Sequence, residues 1–280
     1  MSVTFDNILN FRDVGKTVND YLGQKLLQEG VLYRSARPDD ASAADRQKLR
    51  DELGIKTVLD LRTKTEHLHQ AQKRGLTANA ADSPVQIPDL RYREVIVTGR
   101  RFERRLLRQL SWWNYIKLLV LFFLGYRIQA TSLMGRAVMQ PMGLLGMALV
   151  AIDESGAEVA EALRTTLPPS YPPATLVHCT HGKDRTGIII ALILLALGVP
   201  TSAIAYDYQL SQAGLDAERP LRVREYREIG LPDHWADTVP GFAAKLEKHL
   251  DDRYGGIVGY LDSIGFGADE RQRLVETLGA

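Results

Sequence analysis

Short apolar segments, each bounded by Gly, Pro or polar residues, are the first pattern along the chain. Such segments predict buried strands, because their β-branched side chains suit a covered, pleated surface. We assign four of them: 30–35, 56–61, 84–88 and 174–178. The last of these leads directly into the sequence HCTHGKDRTG.

Longer segments with helical spacing alternate with these strands. We predict a helix over 39–53, where Ser42 provides an N-cap and Asp45 lies in the first turn. The segment 187–197 is apolar on nearly every face, as expected of a helix buried in a large domain. The alternation favours a single α/β domain over 1–280, with a central, mostly parallel twisted sheet flanked by helices.

The segment 91–150 differs from the rest of the chain and predicts a helical insertion that is either a lid or a membrane contact. Five arginines recur at helical spacing in its first part: Arg100, Arg101, Arg104, Arg105 and Arg108. Trp112, Trp113 and the apolar run 118–124 follow. A basic helix followed by an aromatic, apolar one suits peripheral contact with an anionic membrane. Packing of the apolar face on the domain is the alternative, and it is the safer expectation.

Composition narrows the class of protein. A formal charge of +1 over 280 residues gives no global electrostatic case for binding nucleic acid. The single cysteine cannot form an intramolecular disulfide, and the N-terminus lacks the basic start and apolar run of a secretory signal. No uninterrupted apolar stretch reaches the length of about 18 residues that indicates a transmembrane span. We therefore expect a reduced, cytoplasmic protein.

The strongest chemical signal is the segment 178–187, where a strand, a cysteine, an arginine and an apolar helix follow one another. Backbone N–H groups of such a loop can surround a phosphate, and the positive end of the helix points at the same place. These donors favour the thiolate of Cys179, which is the form that attacks. Arg185, six residues later, can grip two phosphoryl oxygens in a planar fork.

Neighbouring residues complete this loop. The candidate phosphate-binding positions are Thr180, His181, Gly182, Lys183, Asp184 and Arg185. Lys183 would reach a second phosphate of the substrate, or else lie exposed on the surface. Thr186 would hydrogen-bond the thiolate or help hydrolyse the intermediate, and His178 would support the loop from behind. The alternatives are a buried structural cysteine, a non-catalytic phosphate-binding module and a loop that transfers sulfur.

The segment 178–187 resembles the signature loop of the protein-tyrosine-phosphatase superfamily. Its GKDRTG form is similar to a tyrosine-phosphatase-like group of bacteria and fungi, some of which act on phosphoinositides as well as phosphotyrosine. Further segments are similar to motifs of this group: NFRDVG at 10–15, LYRSA at 32–36, GIKTVLDLR at 54–62 with Glu66, AYDYQLS at 205–211 and YGGIVGYLDSIG at 254–265. The resemblance covers most of the chain and is weak over 91–150. His181 departs from it, because a small residue is more usual there.

The resemblance implies hydrolysis of phosphate monoesters through a phosphocysteine intermediate, without a metal or cofactor. It gives Asp89, in a Pro-Asp pair after a predicted strand, the role of general acid. Asp184 is the rival for that role. Asp60 would support the site from the end of its strand, and Arg12 would form a structural ion pair with Asp13 beneath it.

The substrate stays open between a phosphorylated protein, a phosphoinositide and a soluble inositol phosphate. Lys183 and the arginine-rich segment favour the lipid. His67 and His69 are spaced like ligands on a strand, but no cysteine or carboxylate cluster completes a metal site. We expect both histidines to be exposed.

Overall fold

A five-stranded sheet lies at the centre of the structure, a computed structural model that describes residues 4–73, 86–168 and 174–280. Its strands are β1 (Arg12–Asp13), β2 (Leu32–Ser35), β3 (Thr57–Asp60), β4 (Arg91–Glu94) and β5 (Thr175–His178). The order is β1-β2-β5-β3-β4, with β1 antiparallel to β2 and the other pairs parallel. The predicted α/β class with a mostly parallel sheet is confirmed.

Three of the predicted strands are confirmed with slightly shorter bounds, and the fourth is wrong. Residues 86–88 form a loop and the start of a turn, and residues 84 and 85 lie outside the described residues. The strand instead begins at Arg91, and its sequence RYRE has no apolar run because β4 is an edge strand with mostly exposed side chains. The expected insertion over 91–150 therefore begins with a strand of the central sheet.

Helices flank this sheet. They are α1 (Val14–Leu22), α2 (Ala43–Gln47), α3 (Lys64–Lys73), α4 (Arg100–Leu107), α5 (Trp112–Phe123), α6 (Arg127–Met134), α7 (Gln140–Glu154), α8 (Gly156–Arg164), α9 (Asp184–Ala196), α10 (Thr201–Gly214), α11 (Arg219–Glu228), α12 (Phe242–Tyr254), α13 (Ile257–Ser263) and α14 (Ala268–Leu278). The helix predicted over 39–53 is α2 and a π-helical continuation, Lys48–Glu52. Ser42 and Asp45 form its capping box.

The main core lies between β5, α9 and the helices that pack around α9. Every residue of α9 from Thr186 to Leu194 is buried, as are all four residues of β5. This explains why the sequence of α9 is apolar on nearly every face. A buried helix that follows a buried strand fixes the loop between them.

The register brings three strand ends to one edge of the sheet. His178 pairs with Ser35 on one side and with Asp60 on the other. Residues that follow β2, β3 and β5 therefore converge, and Cys179 lies at their centre. In open parallel sheets this carboxyl edge is where ligands bind.

Candidate active site

The loop that follows β5 turns from the sheet edge into α9 and carries Cys179 as its first residue. Cys179 is buried, with 3% of its surface exposed. No side chain among the described residues caps the first turn of α9. Its first N–H groups are therefore available to an anion held by the loop. Thr186 lies in the same turn, where its buried Oγ1 has no hydrogen-bond partner among the residues described.

Arg185 is held in place by a carboxylate from α3. Its two terminal nitrogens lie 2.6 and 2.5 Å from the carboxylate oxygens of Glu66, and Nη1 also donates to the carbonyl of Leu61 at 3.0 Å. Burial alone would lower the pKa of Arg185, but Glu66, then Cys179 and Asp184, raise it above its ordinary value. Arg185 is therefore a fixed cation within electrostatic reach of Cys179.

Glu66 connects this arginine to the loop. Thr180 Oγ1 donates to the Glu66 carboxylate, and the N–H and hydroxyl of Thr63 both donate to it at 2.9 Å. Burial would raise the pKa of Glu66, but Arg185 holds it well below its ordinary value. The sequence motif that includes Glu66 predicts no role for this residue.

The carbonyl oxygens of the loop point backwards into a polar cluster. Asn10 Nδ2 donates to the carbonyls of His181 and Gly182 at 3.0 and 3.1 Å. Arg34 Nη2 donates to the carbonyl of Gly182 at 2.8 Å. In a planar trans peptide the N–H points opposite to the C=O, so these bonds turn successive N–H groups towards the phosphate position.

Asp207 of α10 holds the arginines of this cluster. Arg12 Nε lies 2.8 Å from Asp207 Oδ1, and Arg34 Nη1 pairs with Oδ2. Burial would raise the pKa of Asp207, but Arg12 and Arg34 lower it. The expected ion pair between Arg12 and Asp13 is wrong, because Asp13 caps α1 by accepting from the backbone N–H of Lys16 at 3.1 Å. Arg12 still lies beneath the loop, where it was expected.

Gly182 allows the loop to pass against β2. Its φ is 65°, in the left-handed region that favours glycine. A Cβ at this position would lie 2.0 Å from the carbonyl oxygen of Ser35. Both the backbone conformation and the close approach therefore require glycine here.

A second polar cluster lies under the loop at the end of β3. Arg62 Nη2 donates to Asp60 Oδ2 at 2.7 Å, and Nη1 donates to Asp39 at 2.6 Å. His178 Nε2 lies 3.6 Å from Asp60. Burial would raise the pKa of Asp60, but His178 and Arg62 lower it to about 2. Asp60 and His178 therefore lie in one buried polar cluster at the adjacent ends of β3 and β5.

His67 also belongs to this cluster, so its expected exposure is wrong. It is 7% exposed, and its Nε2 lies 3.5 Å from Asp60 Oδ2. The side chain of His69 lies outside what the structure describes. Across the described parts of the chain, no group of three or more His, Cys, Asp and Glu side chains could hold a metal ion.

Lys183 is neither an exposed lysine nor a free cation in this structure. It is 1% exposed, and its Nζ donates to the carbonyls of Trp235 and Asp237 at 3.0 and 2.5 Å. Asp184 Oδ1 lies 3.5 Å away from the same nitrogen. Lys183 therefore ties the loop to the segment 235–237 instead of presenting its charge to a second phosphate.

The structure does not bring Asp89 to the site. Asp89 precedes β4, and the register of β4 with β3 places it at the amino edge of the sheet, opposite to Cys179. Its side chain is 76% exposed and lies 3.4 Å from Arg50. The four residues of β4, a rise of about 13 Å, lie between Asp89 and the catalytic edge of the sheet. The expectation that Asp89 is the general acid is therefore wrong, because Asp89 lies at the opposite edge of the sheet from Cys179.

Asp184 is the carboxyl group that lies within the loop region. It begins α9, and 34% of its side chain is exposed, so substrate and water can reach it. Its charge contributes to the raised pKa values of Arg185 and Tyr226, as does that of Cys179. Asp184 and Cys179 thus share Arg185 and Tyr226 as electrostatic neighbours.

Tyr226 of α11 is a site residue that the sequence analysis missed. Burial, followed by the charge of Asp184, raises its pKa, and Cys179 contributes as well. Its ring centroid lies 6.5 Å from that of His181 and 6.4 Å from that of Trp235. These three rings form one side of the site. No motif in the segment 219–235 identifies Tyr226 or Trp235, because the fold alone brings α11 to the loop.

Several cations surround His181. Burial, followed by the charges of Arg222, Arg37, Lys183 and Arg185, lowers the pKa of His181 to about 3. His181 is therefore a neutral imidazole at neutral pH, and the loop mouth owes its positive potential to these neighbours. Arg37 and Arg222 were not identified from the sequence.

The site combines a cysteine at the carboxyl end of a parallel strand, a loop whose carbonyls point backwards and a fixed arginine six residues later, an arrangement suited to holding a phosphate. The chain belongs to the tyrosine phosphatase family, whose sequence model matches residues 3–280. The geometry of the loop agrees with membership of this family.

Individual relatives are similar over parts of their length. A tyrosine-protein phosphatase of Nostoc commune is 36% identical over 38% of this chain and 39% of its own. The triple specificity protein phosphatase PtpB of Mycobacterium tuberculosis is 30% identical over 32% of this chain and 38% of its own. A protein of Cupriavidus necator named as a tyrosine-protein phosphatase is 28% identical over 74% of this chain and 61% of its own. The matches thus span less than two thirds of each relative.

One solved structure of another protein shows a distant likeness to this chain. The core catalytic domain of the PP-IP phosphatase SIW14 from S. cerevisiae is 15% identical, with a TM-score of 0.36, over 96% of this chain and 98% of that one.

Proposed function

We propose that this phosphatase hydrolyses phosphate monoesters through a phosphocysteine intermediate on Cys179, with Asp184 as general acid and base. In the first step the thiolate forms an S–P bond, the P–O bond to the leaving group breaks, and Asp184 protonates the leaving oxygen. In the second step water attacks phosphorus, the S–P bond breaks, and the Asp184 carboxylate takes a proton from the water. Neither step requires a metal or cofactor.

The observation that carries this proposal is the clamp on Arg185. A guanidinium held by Glu66 and by the carbonyl of Leu61 is oriented before substrate arrives. Such preorganisation stabilises the charge that develops on the equatorial oxygens during transfer. The backward-facing carbonyls of His181 and Gly182 support the same role for the loop amides.

The first experiment measures hydrolysis of p-nitrophenyl phosphate by the wild type and by Cys179→Ser. We expect activity in the first and none in the second, together with a phosphate adduct on Cys179 in rapidly quenched wild-type samples. A folded wild type that binds phosphate without turning over the substrate would instead support a phosphate-binding module.

The second experiment tests the general acid with Asp184→Asn and Asp89→Asn. Loss of an acid slows esters with poor leaving groups more than esters with good ones. We expect Asp184→Asn to lose more activity on phenyl phosphate than on p-nitrophenyl phosphate and to lose one limb of the pH–rate profile. Asp89→Asn is the matched control, because its side chain is exposed and distant. The reverse pattern would contradict the assignment.

For the substrate, the partly exposed cations Arg37 and Arg185 beside the loop favour a polyanionic headgroup, either a phosphoinositide or a soluble inositol phosphate, over a phosphotyrosine peptide. We expect kcat/KM in a phosphate-release panel to be highest for phosphoinositides. We place the protein in the cytoplasm, because its lone thiol must stay reduced and no second cysteine can protect it.

A further inference from the structure

The helices α5 and α6 carry apolar side chains that the domain does not cover. Phe123 is 92% exposed and Trp113 is 72% exposed, although such side chains are normally buried. Others more than half exposed are Trp112, Leu119, Phe122, Leu124, Tyr126 and Ile128. We call the segment 112–128 the apolar helix surface. Soluble monomers rarely expose a contiguous apolar surface of this kind, so it indicates an interaction site.

The surface lies within the most basic part of the chain. Residues 95–152 contain eight basic residues and one acidic residue, whereas the remainder contains 27 basic and 33 acidic residues. The arginines of α4 point outward, because Phe102 and Leu106 form its buried face. Arg100, Arg101 and Arg104 have no ion pair among the described residues. Their charge is therefore available to an anionic partner.

The surface is also connected to the active site. The π-helical turn after α6 contacts the end of α11: a Cβ on Gly135 would lie 2.1 Å from the carbonyl oxygen of Ile229. Ile229 is three residues beyond Tyr226, whose ring lies beside the catalytic loop. The helical segment that carries the apolar helix surface is thus joined by packing to α11, which carries Tyr226.

We infer that the apolar helix surface and the arginines of α4 dock the protein on an anionic lipid bilayer. Tryptophans at the start of α5 and Tyr126 after its end suit the interfacial region, where aromatic rings are enriched. The basic residues complement anionic headgroups. A second copy of this chain would instead bring two strongly basic surfaces together. The inference does not depend on catalysis.

The docking is peripheral. Helix α5 has 12 residues, and its length of about 18 Å is too short to cross a bilayer. Contrary to the expectation from the sequence, the helical run 127–154 is long and apolar enough to cross one by length and composition. Ala151 and Ile152 of this run are packed in the main core, however, and Gly143 has non-helical angles. The run therefore belongs to the domain.

The test measures sedimentation of Cys179→Ser protein with phosphatidylcholine vesicles, with and without phosphatidylserine. We expect binding to the anionic vesicles that falls with added salt. The triple variant Trp112→Ser/Trp113→Ser/Phe123→Ser should lose at least about 10-fold in affinity. Its matched control is Leu221→Ser/Val258→Ser/Val275→Ser, which changes exposed apolar residues elsewhere and should bind normally.

Charge is tested in the same way. Arg100→Gln/Arg101→Gln/Arg104→Gln should weaken binding on the order of 100-fold, at about 5-fold for each cation. Lys25→Gln/Arg224→Gln/Lys245→Gln removes equal charge from other exposed positions and should have little effect.

Three results would overturn the inference. They are equal or absent binding to the two kinds of vesicle, retention after an alkaline high-salt wash, and a wild-type dimer in solution that the triple serine variant no longer forms. Because none of these measurements uses turnover, they leave the proposed phosphatase mechanism unaffected.

Discussion

Replacing Glu66 by glutamine tests whether the clamp on Arg185 organises the active site. Glutamine keeps the size of the side chain but removes its negative charge, and its amide nitrogen would face the guanidinium donors. Arg185 would then keep its charge in a partly buried position with one carbonyl contact, to Leu61. We expect losses of both stability and activity.

The exposure of the pair sets the magnitude of the stability loss. The side chains of Arg185 and Glu66 are 18% and 29% exposed. Breaking a fully buried pair costs about 3–5 kcal/mol, whereas an exposed pair contributes about 0–1 kcal/mol, so we expect about 2–3 kcal/mol. Misplacement of a substrate-positioning group by one ångström costs about 100-fold, which we expect in kcat/KM. Urea denaturation and p-nitrophenyl phosphate hydrolysis measure the two effects.

The pH dependence of stability provides a further test of the pair between Glu66 and Arg185. The folded-state pKa of Glu66 lies below its ordinary value of 4.5, so the stability from this pair is present above pH 4.5 and lost as the pH falls further. The difference between wild type and Glu66→Gln should therefore shrink in acid. Glu161→Gln is the control, because Glu161 pairs with Arg93 on the exposed surface. Equal effects of the two substitutions, or an unchanged kcat/KM in Glu66→Gln, would refute the reasoning.

Other substitutions test the supporting clusters. Asp207→Asn should destabilise the fold by about 3–5 kcal/mol, because it leaves two buried guanidiniums without a carboxylate. Asp13→Asn is the control and should cost at most about 1 kcal/mol, because asparagine caps a helix as well as aspartate does; comparable urea midpoints of the two variants would contradict this. Gly182→Ala should cost at least about 1–2 kcal/mol from its left-handed φ and abolish turnover, measured on the same samples. In His181→Asn, the free energy of unfolding should fall less steeply than in the wild type as the pH drops from 6.5 to about 3. In the wild type only the unfolded state binds the imidazole proton between these pH values, so the free energy of unfolding falls by about 1.4 kcal/mol for each pH unit. An unchanged slope of stability against pH in His181→Asn would contradict the low pKa of His181.

Elements with strong local signals were predictable from the sequence. The helix α2 was marked by its capping box, and α9 by an apolar pattern that only a buried helix can carry. The strand β4 was missed, because an edge strand with polar side chains has no apolar run. The same error led to the wrong prediction of the general acid. A strand at 84–88 would end near Asp89, whereas the observed strand begins after Asp89. Whether a residue precedes or follows a parallel strand decides which edge of the sheet it occupies.

The arginines and lysines of the site form two groups. One group is buried and held by carboxylates or backbone carbonyls of the protein, and the other keeps part of its side chain exposed to a ligand. Arg12 and Arg34 are neutralised by Asp207, and Lys183 lies on backbone carbonyls. Their contacts fix the shape of the loop and leave little charge for a substrate. Arg222 is likewise buried, and it donates to the carbonyls of Leu215 and Ala236. The side chains of Arg37 and Arg185 are 19% and 18% exposed, so a bound anion can reach these two cations. Local sequence cannot reveal this, because each partner comes from a distant segment: Asp207 lies on α10, and Arg222 on α11.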